Sequence, residues 1–359
     1  MKKITTSAIV VAAAALALSG CGAAPGGTST GDTSKAATQY PDFTACMVSD
    51  AGGFDDRSFN QSGWEGMAKA QSELGVKVKQ VESKDSTDYD KNLDAMKANN
   101  CGITFTVGFN LEQATKSHAT TNTDLKYAII DDNGIQLPNV KSLIFKTSDA
   151  AFLAGYVAAG YSKTGTVATF GGGQIPTVTI FMDGFVDGVA KYNEDFSKSV
   201  KVLGWDKATQ NGSFTGDFDN QSNGQNMTTN FISQGADVIM PVAGPVGLGA
   251  AAAAKAAGDV ALVWVDADGY ETASNFKDLF LTSVVKEIGV SVFDTIKDTA
   301  SGNYSNKAFV GTLANGGVGI APYHDFDSKL SAELKAKVED LKQQITDGSL
   351  KVTSPSDPK

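Results

Sequence analysis

From about residue 43 onward the chain alternates short apolar runs with longer stretches in which apolar positions recur at helical spacing. Phe43–Ser49, Val76–Val81, Ile103–Val107 and Tyr127–Asp131 read as strands; their near-continuous apolar character suits a parallel sheet covered on both faces. Between them, Ser58 is predicted to cap a helix carrying Trp64, Met67 and Gln71, and Asp88–Asn99 forms a second with Leu93 and Met96 inward. Leu111–Thr120 is a third. A second series follows, with helices Ala150–Ser162, Val178–Tyr192, Asn220–Ser233 and Leu248–Ala257. Its strands are Thr166–Phe170, Val200–Gly204, Asp237–Val242 and Ala261–Val265. Regular strand–helix alternation predicts an α/β protein, and two series in about 320 residues predict two doubly wound parallel-sheet lobes, each near single-core size.

The N-terminal pattern differs. Lys2 and Lys3 precede an apolar run, Ala8–Leu18, that is short for a bilayer span, and Leu18-Ser-Gly-Cys21 has the small-residue pattern of a lipoprotein cleavage site. Residues 1–20 are therefore expected to be a signal peptide. Cys21 would carry a diacylglycerol, and two acyl chains suffice for stable anchoring. Residues 21–39, rich in Gly, Ala, Ser and Thr, are expected to form a flexible tether. Formal net charge is −10, and loss of Lys2 and Lys3 takes it to −12, which argues against nucleic acid or an anionic surface as partner. Exported location permits a disulfide between Cys46 and Cys101, although two buried thiols fit the sequence equally well.

The most informative segment is Asp50-Ala-Gly-Gly-Phe-Asp-Asp-Arg-Ser-Phe-Asn-Gln-Ser-Gly-Trp-Glu-Gly-Met67, which leaves a strand and opens a helix. An acid stands nine residues before a Phe-Asn pair preceded by Ser, and Trp-Glu-Gly follows. This segment resembles the opening motif of the basic membrane protein family of substrate-binding lipoproteins, which includes purine nucleoside receptors. The resemblance continues in order through Phe145–Tyr156, Gly171–Pro176, Gly184–Gly188, Gly212–Phe214, Val265–Gly269 and Leu281–Lys286. It implies a type I periplasmic-binding-protein-like fold with a ligand cleft between the lobes. Crossings are expected near Lys146, Phe280 and Asn306, giving one lobe of 40–146 plus 281–305 and another of 147–280 plus 306–359.

Ligands of open α/β sheets bind outside the carboxyl ends of the strands, where Asp50, Phe59 and Asn60 fall. Phe59 and Phe214 come from loops of different lobes and could stack on both faces of a planar base, though either could instead plug a core. Asn60 can donate and accept at a base edge, or cap its helix. Asp50 could accept a ring N–H, whereas Asp55 and Asp56 read as solvated turn residues. Asp266 and Asp268 end the strand 261–265. An acid there, near the lysine matched by the resemblance, Lys286, suits ribose hydroxyls, and Asp266 is preferred as the nearer to the strand. Phe109, with Asn110, and the backbone at Gly244 complete the expected ligand-binding set.

A catalytic reading finds little support. Gly27-Thr-Ser-Thr-Gly31 matches a nucleophile elbow only formally, inside the tether, and the two histidines, His118 and His324, lack metal-ligand spacing. No enzyme activity, cofactor or metal is expected. The sequence points to a monomeric, lipid-anchored binding protein of an ABC importer on the extracytoplasmic face of the cell membrane. It would deliver nucleosides, purine ones foremost, to the permease subunits. A binding protein of the same fold for a sugar or other small ligand, and a ligand-sensing surface lipoprotein, are the alternatives.

Overall fold

The structure, a computed structural model, describes residues 38–358. The expected signal peptide, Cys21 and almost all of the expected tether lie outside them.

Chain order in the first lobe is β1 (Thr44–Val48), α1 (Phe59–Leu74), β2 (Lys77–Val81), α2 (Tyr89–Ala98), β3 (Ile103–Val107), α3 (Glu112–Thr121), β4 (Tyr127–Ile130) and β5 (Val140–Phe145). The chain then enters the second lobe with α4 (Thr147–Tyr161), β6 (Thr166–Gly171), α5 (Pro176–Phe196) and β7 (Lys201–Leu203). A small hairpin, β8 (Trp205–Asp206) and β9 (Asn211–Gly212), leads to α6 (Gln221–Ser233), β10 (Val238–Val242), α7 (Val246–Ala257), β11 (Ala261–Asp266), α8 (Gly269–Thr272) and β12 (Phe280–Lys286). Helix α9 (Ile288–Ala300), β13 (Phe309–Gly311), β14 (Val318–Ile320) and α10 (Ala332–Asp347) complete the chain.

Strands form two six-stranded sheets, ordered β13-β5-β4-β3-β1-β2 and β14-β12-β11-β10-β6-β7. All neighbours are parallel except β12 and β14. The two orders correspond position by position. Strands β3, β4, β10 and β11 are buried along their whole length, as expected of central strands covered on both faces. Helix α4 is buried nearly all round, and its carbonyls come so close to α5 that side chains are excluded: a Cβ on Gly188 would stand 1.9 Å from the Phe152 oxygen.

Two of the expected crossings move. The run Phe280–Lys286 pairs with β11 as a sheet strand of the second lobe, so the chain leaves that lobe after Lys286 rather than near Phe280. Helix α9 then packs on α1, where a Cβ on Gly66 would meet the Gly289 carbonyl at 2.4 Å. Residues Phe309–Gly311 pair with β5 in the first sheet, so the last crossing falls between Gly311 and Val318, later than Asn306. Both shifts turn on which strand each run pairs with, which local pattern does not encode.

Cys46 on β1 and Cys101 ahead of β3 form a disulfide. No helix among the described residues is long and apolar enough to cross a membrane.

Candidate functional site

Loops at the carboxyl ends of both sheets face each other and line a shared cavity, partly open to solvent. The first lobe contributes Asp50 after β1, Phe59 and Asn60 at the start of α1, Phe109 after β3 and Asp131 after β4. From the second come Phe181 of α5, Phe218, Gly244 after β10, Asp266 and Lys286. Seven of the eight expected ligand residues, Asp50, Phe59, Asn60, Phe109, Gly244, Asp266 and Lys286, therefore share one cavity.

Phe214 does not join them. Gly171 donates its N–H to the Ser213 carbonyl and accepts from Thr215 N–H, and this pairing leaves the Phe214 ring edge-on to Trp205, at 5.9 Å between centroids. Phe218, four residues on, supplies the cleft aromatic instead. Phe214 packs, partly buried, against the core beside Trp205.

Asp56 is also placed differently from the solvated turn residue expected. It is buried, and its carboxylate accepts the backbone N–H groups of Ser58 (2.9 Å), Asn60 (2.7 Å) and Gln61 (3.0 Å), satisfying the open end of α1. Burial pushes its pKa up to about 6, against the pull of those N–H groups. Relieved of capping, the Ser58 hydroxyl reaches across the cleft, 2.9 Å from Asp266 Oδ2 and 3.0 Å from the Val265 carbonyl. Beside it the Arg57 carbonyl, presented by a left-handed φ of 60°, accepts from Trp264 Nε1 (3.1 Å) and Thr272 Oγ1 (2.8 Å). These bonds tie the β1–α1 loop of one lobe to the β11 end of the other.

Lys286 lies at the centre of the charge pattern. Its ammonium is 2.5 Å from Asp131 Oδ2 and 2.9 Å from Asp266 Oδ1, with all three side chains buried. Burial opposes its charge, but the two carboxylates outweigh burial and raise its pKa. The Phe59 and Phe181 ring centroids stand 4.7 and 5.2 Å from the same Nζ. Asp131, which sequence reading passed over, carries the same signal as Asp50 and Asp266: an acid at the carboxyl end of a buried strand. Asp131 and Asp266 also share left-handed backbone, with φ of 61° and 69°, at corresponding positions of the two sheets. Asp268 turns away to cap α8 and lies 2.7 Å from His324 Nε2.

Asp50 lines the same cavity beside Asn60. Its Oδ1 accepts from Asn60 Nδ2 at 2.9 Å, and its Oδ2 lies against Gly108, where a Cβ would stand only 2.6 Å away. With φ of 108°, position 108 needs glycine for the backbone as well. Burial raises the Asp50 pKa to about 7. No cluster of three or more His, Cys, Asp or Glu side chains fit to hold a metal occurs among the described residues.

This arrangement agrees with what the chain resembles. It is 31% identical to the "ABC transporter nucleoside-binding protein BmpA" of Lactococcus lactis subsp. cremoris, over 99% of this chain and 100% of that protein. It is likewise 31% identical to a "CD4+ T-cell-stimulating antigen" of Listeria innocua, over 98% of this chain and 99% of the relative. Among solved structures, an ABC transporter solute-binding protein from Aeropyrum pernix superposes with a TM-score of 0.79 at 25% identity, covering 88% of this chain and 94% of that one. Residues 43–355 match the family model described as "ABC transporter substrate-binding protein PnrA-like". Two parallel-sheet lobes closing on a shared cavity, together with a match spanning nearly all the described residues, place this chain in the Bmp family of ABC transporter substrate-binding proteins.

Proposed function

We propose that this protein binds nucleosides, purine nucleosides foremost, in the interlobe cleft and delivers them to a membrane permease while held at the extracytoplasmic face by lipid on Cys21. One observation carries the reading. Aromatic rings from both lobes, Phe59, Phe109, Phe181 and Phe218, line the same cavity as the Asp131–Lys286–Asp266 cluster. Flat apolar walls suit a base, and a carboxylate–ammonium pair suits vicinal hydroxyls, which both donate and accept. The cleft acids serve binding in this reading, not catalysis, and closure of the lobes over ligand is what the permease recognises.

Titration calorimetry against a panel of nucleosides, free bases and monosaccharides tests it. Nucleosides are expected to bind tightest, and Phe59→Ala to weaken them by roughly 1–3 kcal/mol while Phe59→Trp is tolerated. Phe214→Ala should lower the melting temperature and leave nucleoside affinity within a few-fold. Preference for a monosaccharide, or indifference of nucleosides to Phe59→Ala, would overturn the assignment.

Anchoring is tested separately. Cys21→Ser removes the thiol that forms the thioether, so the protein should leave the detergent phase of a phase-partition assay. Unchanged partitioning would refute lipidation at Cys21.

A further inference from the structure

The Arg57 carbonyl of the first lobe accepts from two donors of the second, Trp264 Nε1 at 3.1 Å and Thr272 Oγ1 at 2.8 Å, and none of these three residues lines the ligand cavity. Both sides of the contact are rigid. In the second lobe the Trp264 indole is only 1% exposed and lies in a slot made by two glycines: a Cβ on Gly247 of α7 would stand 2.9 Å from its six-membered ring, and one on Gly269 of α8 would stand 2.7 Å from its five-membered ring. Phe280 of β12 covers it further, at 5.2 Å between centroids. Packed this closely, the ring does not turn, and its N–H is a fixed donor facing the opposite lobe. In the first lobe Arg57 keeps a left-handed φ of 60°, which a bulky residue adopts only where its surroundings hold it. The Asp56 carboxylate, gathering the N–H groups of Ser58, Asn60 and Gln61, clamps the loop directly beyond that carbonyl.

A contact that joins the lobes and leaves the ligand untouched acts on the equilibrium between open and closed forms alone. Cavity residues then decide which molecule is held, and the contact decides for how long. We propose that Trp264, with Thr272, forms an interlobe latch on the Arg57 carbonyl, and that these positioning residues set the residence time of every ligand by the same factor. This rests on the reading above that the lobes close over ligand, and not on which nucleoside closes them.

Opening releases the two donors unequally. Thr272 Oγ1 has a second acceptor inside its own lobe, the Asp268 carbonyl at 3.2 Å, so its hydroxyl is satisfied in either state. Trp264 Nε1 has no second protein acceptor among the described residues and passes to water when the lobes part. Trp264 is therefore the larger part of the latch, and its N–H reports whether the latch is made. The other two indoles do not cross between lobes: Trp205 donates to Asp183 within the second, at 2.9 Å, and Trp64 packs on Phe54 within the first. Ser58 also reaches across, but it touches Asp266, so a change there would mix the latch with the ligand contacts.

Trp264→Phe keeps an aromatic ring and removes the donor. Dissociation of adenosine and of guanosine from this variant, followed by stopped flow, should quicken about three- to tenfold for both, as the net loss of one hydrogen bond implies. Association rates should change little, and the adenosine-to-guanosine affinity ratio should stay that of wild type. Phenylalanine leaves part of the glycine slot empty, so Thr272→Val, which keeps the side-chain shape, is the second variant: it should quicken dissociation in the same sense, by less, and equally for both ligands. A check with Trp264 in place uses wild type labelled with 15N-tryptophan, its three indole N–H signals assigned by single Trp→Phe variants. On saturation with adenosine the Trp264 signal should move and become protected from solvent exchange, while that of Trp205 stays. Unchanged dissociation in Trp264→Phe, or in Thr272→Val should the first variant not fold, would overturn the proposal, as would an altered affinity ratio or a Trp264 signal indifferent to ligand. The wild-type titrations judge the nucleoside reading separately. Tight nucleoside binding with unchanged variant rates refutes the latch alone, whereas failure of both nucleosides to bind refutes the nucleoside reading, and the same rate comparison on the free base or monosaccharide that does bind then decides the latch.

Discussion

Lys286→Met is expected to weaken nucleoside binding by about 3–5 kcal/mol, a loss of at least a hundredfold, with a much smaller effect on the melting temperature of the ligand-free protein. Asp131 and Asp266 come from opposite lobes, and in the closed cleft Lys286 is the cation between them, 2.5 and 2.9 Å away. Without it, closing the lobes would bring two desolvated carboxylates together with no counter-ion. Opening rehydrates them, so the penalty falls on closure and hence on ligand retention, not on the folding of either lobe. Asp131→Asn in the Lys286→Met background removes one of the facing charges and should recover part of the affinity. Titration of the single and double variants decides the matter; affinity within a few-fold of wild type in Lys286→Met would show that the cluster does not govern closure.

Replacing Cys46 and Cys101 together by alanine should lower stability by about 4 kcal/mol, the chain-entropy value for a loop of this length. The bridge joins residues 55 apart and ties β1 to the segment entering β3, so its removal loosens the first lobe while leaving the cavity residues untouched. Urea unfolding monitored for wild type and the double variant gives the difference, and nucleoside affinity should be unchanged. Coincident unfolding midpoints would contradict a stabilising role.

The central architecture was legible in the sequence because it rests on local signals. Runs such as Ile103–Val107 and Ala261–Val265 are apolar throughout, which marks strands covered on both faces, and acids at their ends mark the ligand edge. What escaped depends on pairing. Phe214 and Phe218 occupy the same polar loop, and only the bridge between Gly171 and Phe214 determines which ring faces Trp205 and which the cleft. Asp56 looked like a turn residue because three backbone N–H groups converging on one carboxylate are a property of the folded loop, invisible in composition. The short strands Phe309–Gly311 and Val318–Ile320 carry too few residues for a period-2 pattern. Asp131 alone was readable by the rule already applied to Asp50 and Asp266.

The position-by-position match between the two sheets has a consequence for handedness of capture. A cleft between near-equivalent halves offers an asymmetric guest two poses related by a half-turn, and with Asp131 and Asp266 as counterparts the two would be nearly degenerate. The degeneracy is lifted one strand over. Asp131 donates its N–H to the Leu143 carbonyl of β5 while Asp266 pairs with Val285 of β12, so the position that holds Lys286 in one half holds Phe145 in the other. One half thus presents an ammonium to the cavity where its counterpart holds a buried ring packed on Phe309, outside the cavity lining, and a guest with one hydroxylated end has a single preferred way to lie.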